Sequence, residues 1–289
     1  MTSSRTVVVH GATGAQGAPV VRHLLAAGHR VRAAVRDHRA PLPLGAEPVA
    51  ADLNDTASLA AAYAEADAVV VQLPLVFAAD TAIPQAESVL AALRKAGVAR
   101  AVFNTGGVLA DEPVGIPFVD ARALMAARLA ECAATASVVA PARTYLENLA
   151  APWSAARVRA GEVAYPLPSD LPVPWVALDD LAAAVAELAT APEPPPLQII
   201  AGPQSLTGDQ VAAGLSAALG QEVRWKTIAP AEYEQMLAPY LGQEAAAGVA
   251  AAYLPPPPDV PLPPAPDPAV VRTGPTTLRD WAIRQHWPR

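Results

Sequence analysis

A short strand pattern, a glycine-rich turn and an amphipathic helix pattern follow one another near the start of the chain, and this order restricts the possible folds more than any other feature. Thr6–His10 is a β-branched run, and the stretch GATGAQG then places glycine at positions 11, 14 and 17. Apolar residues recur at helical spacing from Val20 to Leu25, and Gly28 ends the pattern. The segment therefore predicts the opening strand and helix of an α/β sheet.

The same alternation continues through the first half of the chain. Apolar strand patterns such as DAVVVQLP and RAVFNTGG alternate with helix patterns such as AIPQAESVLAALRKAGV and ARALMAARLAECA. We therefore predict an α/β fold of the Rossmann type, a doubly wound parallel sheet, over residues 1–150. The alternation of strand and helix patterns becomes less regular afterwards, although helices are expected near Asp179 and Thr207. Residues 151–289 are predicted to form a smaller mixed lobe that shapes the substrate pocket.

The proline-rich segment 254–268, LPPPPDVPLPPAPDP, can be neither a helix nor a central strand. We expect an extended surface segment. A rigid spacer is the preferred interpretation, and a ligand for a protein partner is the alternative.

Composition excludes several classes of protein. The net charge of −7 provides no basic surface for a nucleic acid. The single cysteine, Cys132, rules out a disulfide within the chain and is compatible with a cytoplasmic location. Neither a signal peptide nor an apolar run of about 18 residues is visible, so no membrane association is expected. The five histidines lack ligand spacing, so no metal site is predicted. A homo-oligomer or a protein partner remains open.

Each glycine of the turn has its own role if the turn holds a dinucleotide. Gly11 allows a tight reversal after the strand, Gly14 allows close approach of a pyrophosphate, and Gly17 allows the helix to pack on the strand. The backbone N–H groups from Thr13 through Ala15 to Gln16 are then expected to face the phosphates. The spacing G-x-x-G-x-x-G is a weak signal by itself, and a structural turn without a ligand is the alternative.

These residues resemble the opening of the NmrA-like family of atypical short-chain dehydrogenases/reductases. Further similar segments are ADLND at 51–55, VFNTGG at 102–107, PARTYLENL at 141–149 and RTGPTTLRDW at 272–281. The resemblance is strong over residues 5–150, thin over 190–270, and returns at the end of the chain. It implies an NAD(P)H-binding protein with a small-molecule substrate.

The end of the second predicted strand favours NADP(H) over NAD(H). An acidic residue there would bind the ribose 2′-hydroxyl and repel a 2′-phosphate, whereas this chain has Arg36. The planar guanidinium suits a phosphate dianion, and the family links an arginine at this place to NADP(H). Asp37 is a competing partner for Arg36, and a solvated strand-end charge is the alternative interpretation.

Other cofactor contacts are inferred from the resemblance and from the expected edge of the sheet. Asp52 and Leu53 resemble the family's pair that touches the adenine amine and packs on its ring, although Asp52 could instead cap a helix or turn the loop. Further candidates follow apolar strands, where ligands bind in such sheets. They are Gln72, Leu73 and Pro74 after one strand, and Asn104, Thr105 and Gly106, expected beside the nicotinamide, after another.

The sequence indicates the catalytic residues less clearly than it indicates the cofactor. Neither lysine follows a tyrosine by four residues, so the usual Tyr-x-x-x-Lys pair is missing. Arg122 stands where some relatives carry a lysine, and arginine stays protonated, so it cannot act as a general acid or base. Thr105 is a candidate stand-in for the usual serine. Tyr145 and Asn148 are candidates to orient the substrate or to donate a hydrogen bond, with packing or capping roles as alternatives.

Three functions are therefore compatible with the sequence. The preferred one is an NADP(H)-dependent oxidoreductase of a small electrophilic substrate, such as a quinone or a conjugated carbonyl, because hydride transfer to such a compound needs little acid assistance. The first alternative is a non-catalytic redox sensor that binds NADP(H) and acts through a protein partner. The second is non-redox biosynthetic chemistry with a structurally retained cofactor. The strand-end residue His10 is interpreted as a hydrogen-bonded structural histidine.

Overall fold

The computed structural model describes residues 4–107, 109–110, 113–255, 265–285 and 287. The strands are β1 Thr6–Val9, β2 Arg30–Val35, β3 Glu47–Ala50, β4 Ala68–Val71, β5 Arg100–Asn104, β6 Thr135–Pro141, β7 Glu162–Tyr165, β8 Val173–Pro174, β9 Leu197–Ala201, β10 Ser205–Leu206, β11 Arg224–Thr227 and β12 Val271–Thr273. The α-helices are α1 Gly17–Ala26, α2 Thr56–Tyr63, α3 Ala79–Ala96, α4 Pro117–Arg128, α5 Ala155–Arg159, α6 Leu178–Thr190, α7 Gly208–Leu219, α8 Pro230–Leu241, α9 Gln243–Ala251 and α10 Leu278–Arg284.

A parallel sheet forms the centre of the first of two compact units, which comprises residues 1–141 and 178–200. Seven strands are hydrogen-bonded in the order β3-β2-β1-β4-β5-β6-β9, and every neighbouring pair among them is parallel. The order reverses direction after β1, because β2 and β3 extend the sheet to one side and β4 to the other. This reversal is the topological switch point of a Rossmann-type fold, and the predicted fold class is confirmed.

The core of the first unit explains why its central strands read as continuous apolar runs. The side chains of β1 and β4 are buried along their whole length, as expected where helices cover both faces of a parallel sheet. Leu59, Leu90 and Phe103 are fully buried in the same cluster, and complete burial of one such side chain contributes about 1.5–3 kcal/mol. Helix α3 ends where Gly97 adopts a left-handed conformation with φ of 61°.

The second unit comprises residues 142–177 and 201–289. Its core contains Tyr165, Trp175 and Tyr233, all of them buried, together with apolar residues of α7, α8 and α10. Two small sheets accompany this core. Strand β7 pairs with β11 in parallel, and β8 pairs with β10 antiparallel.

The observed units differ in extent from the predicted division into 1–150 and 151–289. Residues 178–200, which carry α6 and most of β9, belong to the first unit. Strand β9 extends the parallel sheet beside β6, with Val138 in register with Leu197, and α6 packs on α1. The chain therefore leaves the first unit near residue 141 and returns to it once. Apolar periodicity locates α6 and β9 but cannot show which sheet they join.

Capping side chains mark the starts of two helices. Asp55 is the N-cap of α2 and accepts hydrogen bonds from the amides of Ala57 and Ser58, and Thr207 forms a capping box at α7. Helix α9 had no predicted counterpart. Of the proline-rich segment 254–268, residues 256–264 lie outside the described residues. In the described part of the chain, no helix is both long and apolar enough to cross a lipid bilayer.

Candidate functional site

The glycine turn joins β1 to α1 at the carboxyl edge of the sheet. Gly11 has φ of 63°, a left-handed conformation that costs a residue with a side chain about 1–2 kcal/mol. A Cβ atom on Gly17 would lie 2.2 Å from the carbonyl oxygen of Gly11, so only glycine fits at the start of α1. Thr13, Gly14 and Ala15 are exposed. The middle of the turn is therefore exposed to solvent, and its two ends, Gly11 and Gly17, lie close together.

One part of the predicted phosphate contact needs correction. The amide of Gly14 donates a 2.8 Å hydrogen bond to the carbonyl oxygen of Gly11, so it is used inside the turn rather than left free for a ligand. The physical reason is the tight reversal at Gly11, which brings that carbonyl over the amide three residues later. The remaining candidate donors of this stretch are the amides of Thr13, Ala15 and Gln16.

A hydrogen-bonded chain of side chains connects the turn with the end of β5. The Nδ2 group of Asn104 donates to Oε1 of Gln16 over 2.9 Å, and Oδ1 of Asn104 accepts from the amide of Gly106 over 3.1 Å. Asn104 is buried and Gln16 is half-buried. The fold thus brings together three residues that the sequence had placed in the same cofactor site from two distant segments.

Thr105 and Arg122 stabilise the loop that takes part in this hydrogen-bonded chain. Thr105 is fully buried, and its hydroxyl donates to the carbonyl oxygen of Gly107 over 2.6 Å. The Nε group of Arg122 donates to the carbonyl oxygen of Thr105, and its guanidinium carbon lies 3.2 Å from the ring centroid of Phe118. Arg122 therefore holds the loop after β5 in place and carries a permanent positive charge beside it.

The three candidates after β4 occupy different environments. The Oε1 atom of Gln72 lies 3.2 Å from the position that a Cβ atom on Gly11 would take, so Gln72 borders the turn. Leu73 is buried within the apolar core of the first unit, whereas Pro74 is exposed.

Arg36 and Asp37 follow β2 and are both exposed. The Oδ1 atom of Asp37 accepts a 2.9 Å hydrogen bond from the amide of Arg39, which makes Asp37 a turn-forming residue. Among the described residues, no ion pair joins Asp37 to Arg36. Asp37 thus has a local backbone partner, and the guanidinium of Arg36 is available to an anion.

Asp52 turns the loop after β3. Its Oδ1 atom accepts hydrogen bonds from the amide of Asn54 at 2.9 Å and from its Nδ2 group at 3.1 Å. The helix cap is Asp55 instead, so the capping alternative for Asp52 is wrong. Asp52 is exposed and Leu53 is half-buried, an arrangement that suits an edge contact and a packing contact with a flat ring.

A buried polar pair lies directly before the glycine turn, and the sequence had indicated only one of its members. The hydroxyl oxygen of Tyr63 lies 2.8 Å from Nε2 of His10. Burial lowers the pKa of His10 to about 4 and raises the pKa of Tyr63, so the phenol donates to a neutral imidazole. His10 is thus the hydrogen-bonded structural histidine that was predicted. Tyr63 was missed because its helix pattern indicates only a packed face.

The candidates in the second unit belong to a hydroxyl network centred on Tyr165. The Nδ2 group of Asn148 lies 3.0 Å from Oγ1 of Thr144 and 3.2 Å from the Tyr165 hydroxyl. That hydroxyl also contacts Oγ1 of Thr144 at 3.0 Å and the hydroxyl of Tyr253 at 2.7 Å. Burial raises the pKa of Tyr165, which therefore stays protonated. Tyr145 is half-buried and forms an isolated parallel bridge with Val176.

The arrangement in the first unit fits a dinucleotide. The exposed glycine turn, the Gln16–Asn104 pair, Gln72 and Arg36 follow β1, β5, β4 and β2, at the carboxyl edge where ligands bind in such sheets. Within the described residues, no group of three or more histidine, cysteine, aspartate and glutamate side chains is arranged to hold a metal ion.

Comparison with known proteins agrees with this geometry. Residues 3–252 match the model of the NmrA-like family. The chain is 32% identical over 238 residues to the NAD(P)H azoreductase of Xenophilus azovorans, with 80% of each chain covered.

Solved structures show the same fold. The quinone oxidoreductase of Escherichia coli in complex with NADPH is 21% identical, with a TM-score of 0.66, 86% of this chain covered and 89% of that one. The triphenylmethane reductase of Citrobacter sp. in complex with NADP(H) is 24% identical, with a TM-score of 0.68, 86% of this chain covered and 88% of that one.

Proposed function

The chain belongs to the NmrA-like family, and on that premise we propose that it is an NADP(H)-dependent oxidoreductase of a small electrophilic substrate, quinone-like or with a conjugated carbonyl. The observation that carries the proposal is the hydrogen-bonded chain from Gln16 through Asn104 to Gly106 beside the exposed glycine turn. This hydrogen-bonded chain joins the part of the site expected to hold the phosphates to the part expected to lie beside the nicotinamide.

The residues that would hold the cofactor follow from this arrangement. When bound, NADPH supplies a hydride from its nicotinamide ring. The exposed turn from Thr13 to Ala15 would meet the phosphates, and Arg36 would meet the 2′-phosphate through its guanidinium. Asp52 and Leu53 would bind the adenine. Asn104 and Gly106 would lie at the nicotinamide end, and the buried Thr105 would fix the loop rather than touch the substrate.

The choice of substrate class is supported by two observations. The relative with 32% identity is named for the reduction of azo compounds, and the structural relatives are named for reduction of quinones and triphenylmethane compounds. The chain also lacks the Tyr-x-x-x-Lys pair that protonates simple carbonyls. A compound that already accepts a hydride readily needs only positioning, and Asn148 and Tyr145 are proposed for that role.

The test is consumption of NADPH by the full-length protein with a panel of quinones, azo dyes and conjugated ketones, followed by the absorbance of the reduced nicotinamide. We expect turnover with at least one class. Arg36→Ala should weaken NADPH binding by about tenfold or more and leave NADH binding nearly unchanged, since one charge-assisted bidentate contact is lost. Arg94→Ala, an exposed charge on α3, is the matched control.

A redox sensor that binds NADP(H) without turnover is the second candidate, and Arg122 favours it. This side chain stands where some relatives carry a lysine, is buried, and donates to the Thr105 carbonyl, so it has a structural role and cannot transfer a proton. Tight NADPH binding without consumption of NADPH across the whole panel would select the sensor. If neither nicotinamide coenzyme binds, both functions are excluded.

A further inference from the structure

Asn148 uses the donor end of its amide inside the second unit. Its Nδ2 group lies 3.0 Å from Oγ1 of Thr144 and 3.2 Å from the hydroxyl oxygen of Tyr165. The same two hydroxyls lie 3.0 Å from each other, and the Tyr165 hydroxyl lies 2.7 Å from that of Tyr253. Four contacts therefore join four side chains, and each contact needs one hydrogen atom to be a hydrogen bond.

The supply of hydrogen atoms decides which end of the Asn148 amide faces this network. With Nδ2 inward, the amide supplies two hydrogens, and the hydroxyls supply the two that the other contacts need. With Oδ1 inward, the hydrogens of Thr144 and Tyr165 would both be donated to Oδ1. The 3.0 Å contact between these two buried hydroxyls would then lack a hydrogen, and oxygen lone pairs would face each other. Nδ2 therefore faces the network, and Oδ1 faces away from it.

The amide oxygen of Asn148 is left available to a ligand. Among the described residues, no donor forms a hydrogen bond with Oδ1. Asn148 is half-buried, and its Oδ1 atom does not belong to the enclosed polar atoms. The backbone on either side is fixed, because the amide of Val176 donates to the Thr144 carbonyl oxygen and the amide of Leu146 donates to the Val176 carbonyl oxygen, each over 3.0 Å. The orientation of this acceptor is thus set before a ligand binds.

From this count of hydrogen atoms we propose that Asn148 selects substrates that carry an N–H or O–H group, such as amino- or hydroxy-substituted quinones and azo compounds. The inference rests on the proposed function, in which Asn148 positions the substrate, and adds the chemistry of that contact. The Oδ1 atom accepts from an N–H or O–H group, whereas a bare carbonyl oxygen or azo nitrogen brings only lone pairs. A polar group that binds a substrate N–H or O–H discriminates against the analogue that lacks it.

Tyr165 is the positioning residue in this proposal. Its hydroxyl takes part in three of the four contacts, and burial raises its pKa, so it keeps its hydrogen. Without that hydroxyl the amide of Asn148 is free to turn, because Oδ1 can then accept from Thr144 with no contact left short of a hydrogen. Loss of the Tyr165 hydroxyl should therefore reduce the preference for substrates with a donor, although Asn148 itself is unchanged.

The experiment compares matched substrates that differ only in an amino or a methyl substituent, on naphthoquinone and on azobenzene. Steady-state kinetics with saturating NADPH give kcat/KM for the full-length wild type, Asn148→Ala and Tyr165→Phe. The amino-to-methyl ratio of kcat/KM is compared between proteins, because the substituent also changes the reactivity of the compound. We expect Asn148→Ala to lower this ratio by about three- to tenfold, the value of one neutral hydrogen bond, mainly through KM. Tyr165→Phe should lower it by a smaller factor.

Gln221→Ala is the matched control, since it removes an exposed amide of the same unit, and it should keep the wild-type ratio. A ratio that Asn148→Ala leaves unchanged would overturn the inference, whether both rates fall equally or neither falls. A wild-type ratio in folded Tyr165→Phe would remove Tyr165 as the positioning residue. The melting temperature of each variant shows that the comparison is made on folded protein.

The failure of this inference and the failure of the proposed function are distinguishable. Turnover of other quinones, azo dyes or conjugated ketones, without turnover of any of the matched compounds, would overturn the inference and leave the proposed function intact. If the wild type consumes NADPH with none of the compounds, the proposed oxidoreductase function fails and the inference fails with it.

Discussion

The Nε2 atom of His10 lies 2.8 Å from the hydroxyl oxygen of Tyr63, with both residues buried. His10 is the last residue before the glycine turn, and Tyr63 is the last residue of α2. The pair therefore fixes the start of the turn to the helix that follows the Asp52 loop. The glycine turn and the Asp52 loop, both predicted to contact the dinucleotide, are thus linked indirectly through one buried hydrogen bond.

Tyr63→Phe should destabilise the protein by about 1–3 kcal/mol, because the buried imidazole loses its hydrogen-bond donor. Chemical denaturation followed by circular dichroism measures this difference. Tyr240→Phe is the matched control, since Tyr240 is 54% exposed, and it should change the free energy of unfolding by less than about 0.5 kcal/mol. Equal effects of the two substitutions would contradict the role of the pair.

The stability should also depend on the protonation of His10. Its pKa is about 4 in the folded protein, against 6.5 for an unperturbed histidine, so the unfolded chain binds more protons between these values. Stability is therefore complete above pH 6.5 and falls as the pH drops towards 4, by about 3 kcal/mol in total. Because carboxylates titrate in the same range, the quantity to measure is the difference between wild type and His10→Gln. This difference should shrink as the pH falls, and a difference that stays constant would contradict the role of His10.

Gly17→Ala should damage the turn. The new Cβ atom would lie 2.2 Å from the Gly11 carbonyl oxygen, and backbone must move to relieve the overlap, at a cost of about 1–3 kcal/mol. We expect lower thermal stability and a loss of NADPH affinity of about tenfold or more. At Gly107 no atom lies within 4 Å of the added carbon, so Gly107→Ala should keep wild-type stability. A Gly17→Ala protein that binds NADPH normally would show that the turn tolerates the shift.

The hydroxyl network of the second unit predicts energetic coupling. Tyr165→Phe removes a hydroxyl that contacts Thr144, Asn148 and Tyr253, so it should cost about 1–3 kcal/mol. A double-mutant cycle of Tyr165→Phe with Asn148→Ala should give a coupling of about 1 kcal/mol, measured by denaturation. Asn54 shares no hydrogen-bond partner with Tyr165 among the described residues. The effects of Asn54→Ala and Tyr165→Phe on the free energy of unfolding should therefore be additive. Additivity in both pairs would remove the network as an explanation.

Short-range patterns were sufficient for the elements and for one end of the site. The glycine spacing, the apolar runs of β1 and β4, and the helix expected near Thr207 are each read within a few residues, and the structure has each where the sequence predicts it. These features depend on backbone sterics and on local hydrogen bonds, which act over one or two turns of chain.

Other parts of the site depend on contacts between segments that are distant in the sequence. Tyr63 was missed because its helix pattern carries no signal for the contact, and only the fold places it against His10.

The sequence alone therefore determined a parallel α/β sheet with a glycine turn at its carboxyl edge and an arginine at the end of β2, because local sterics and periodicity encode these features. Only the tertiary structure decided that α6 and β9 return to the first unit, that Gln16 meets Asn104, and that Thr105 is closed off from solvent. Such contacts depend on how distant segments pack. The free energy of burial is non-directional and does not depend on sequence separation, so it selects among packing arrangements that local sequence patterns do not distinguish.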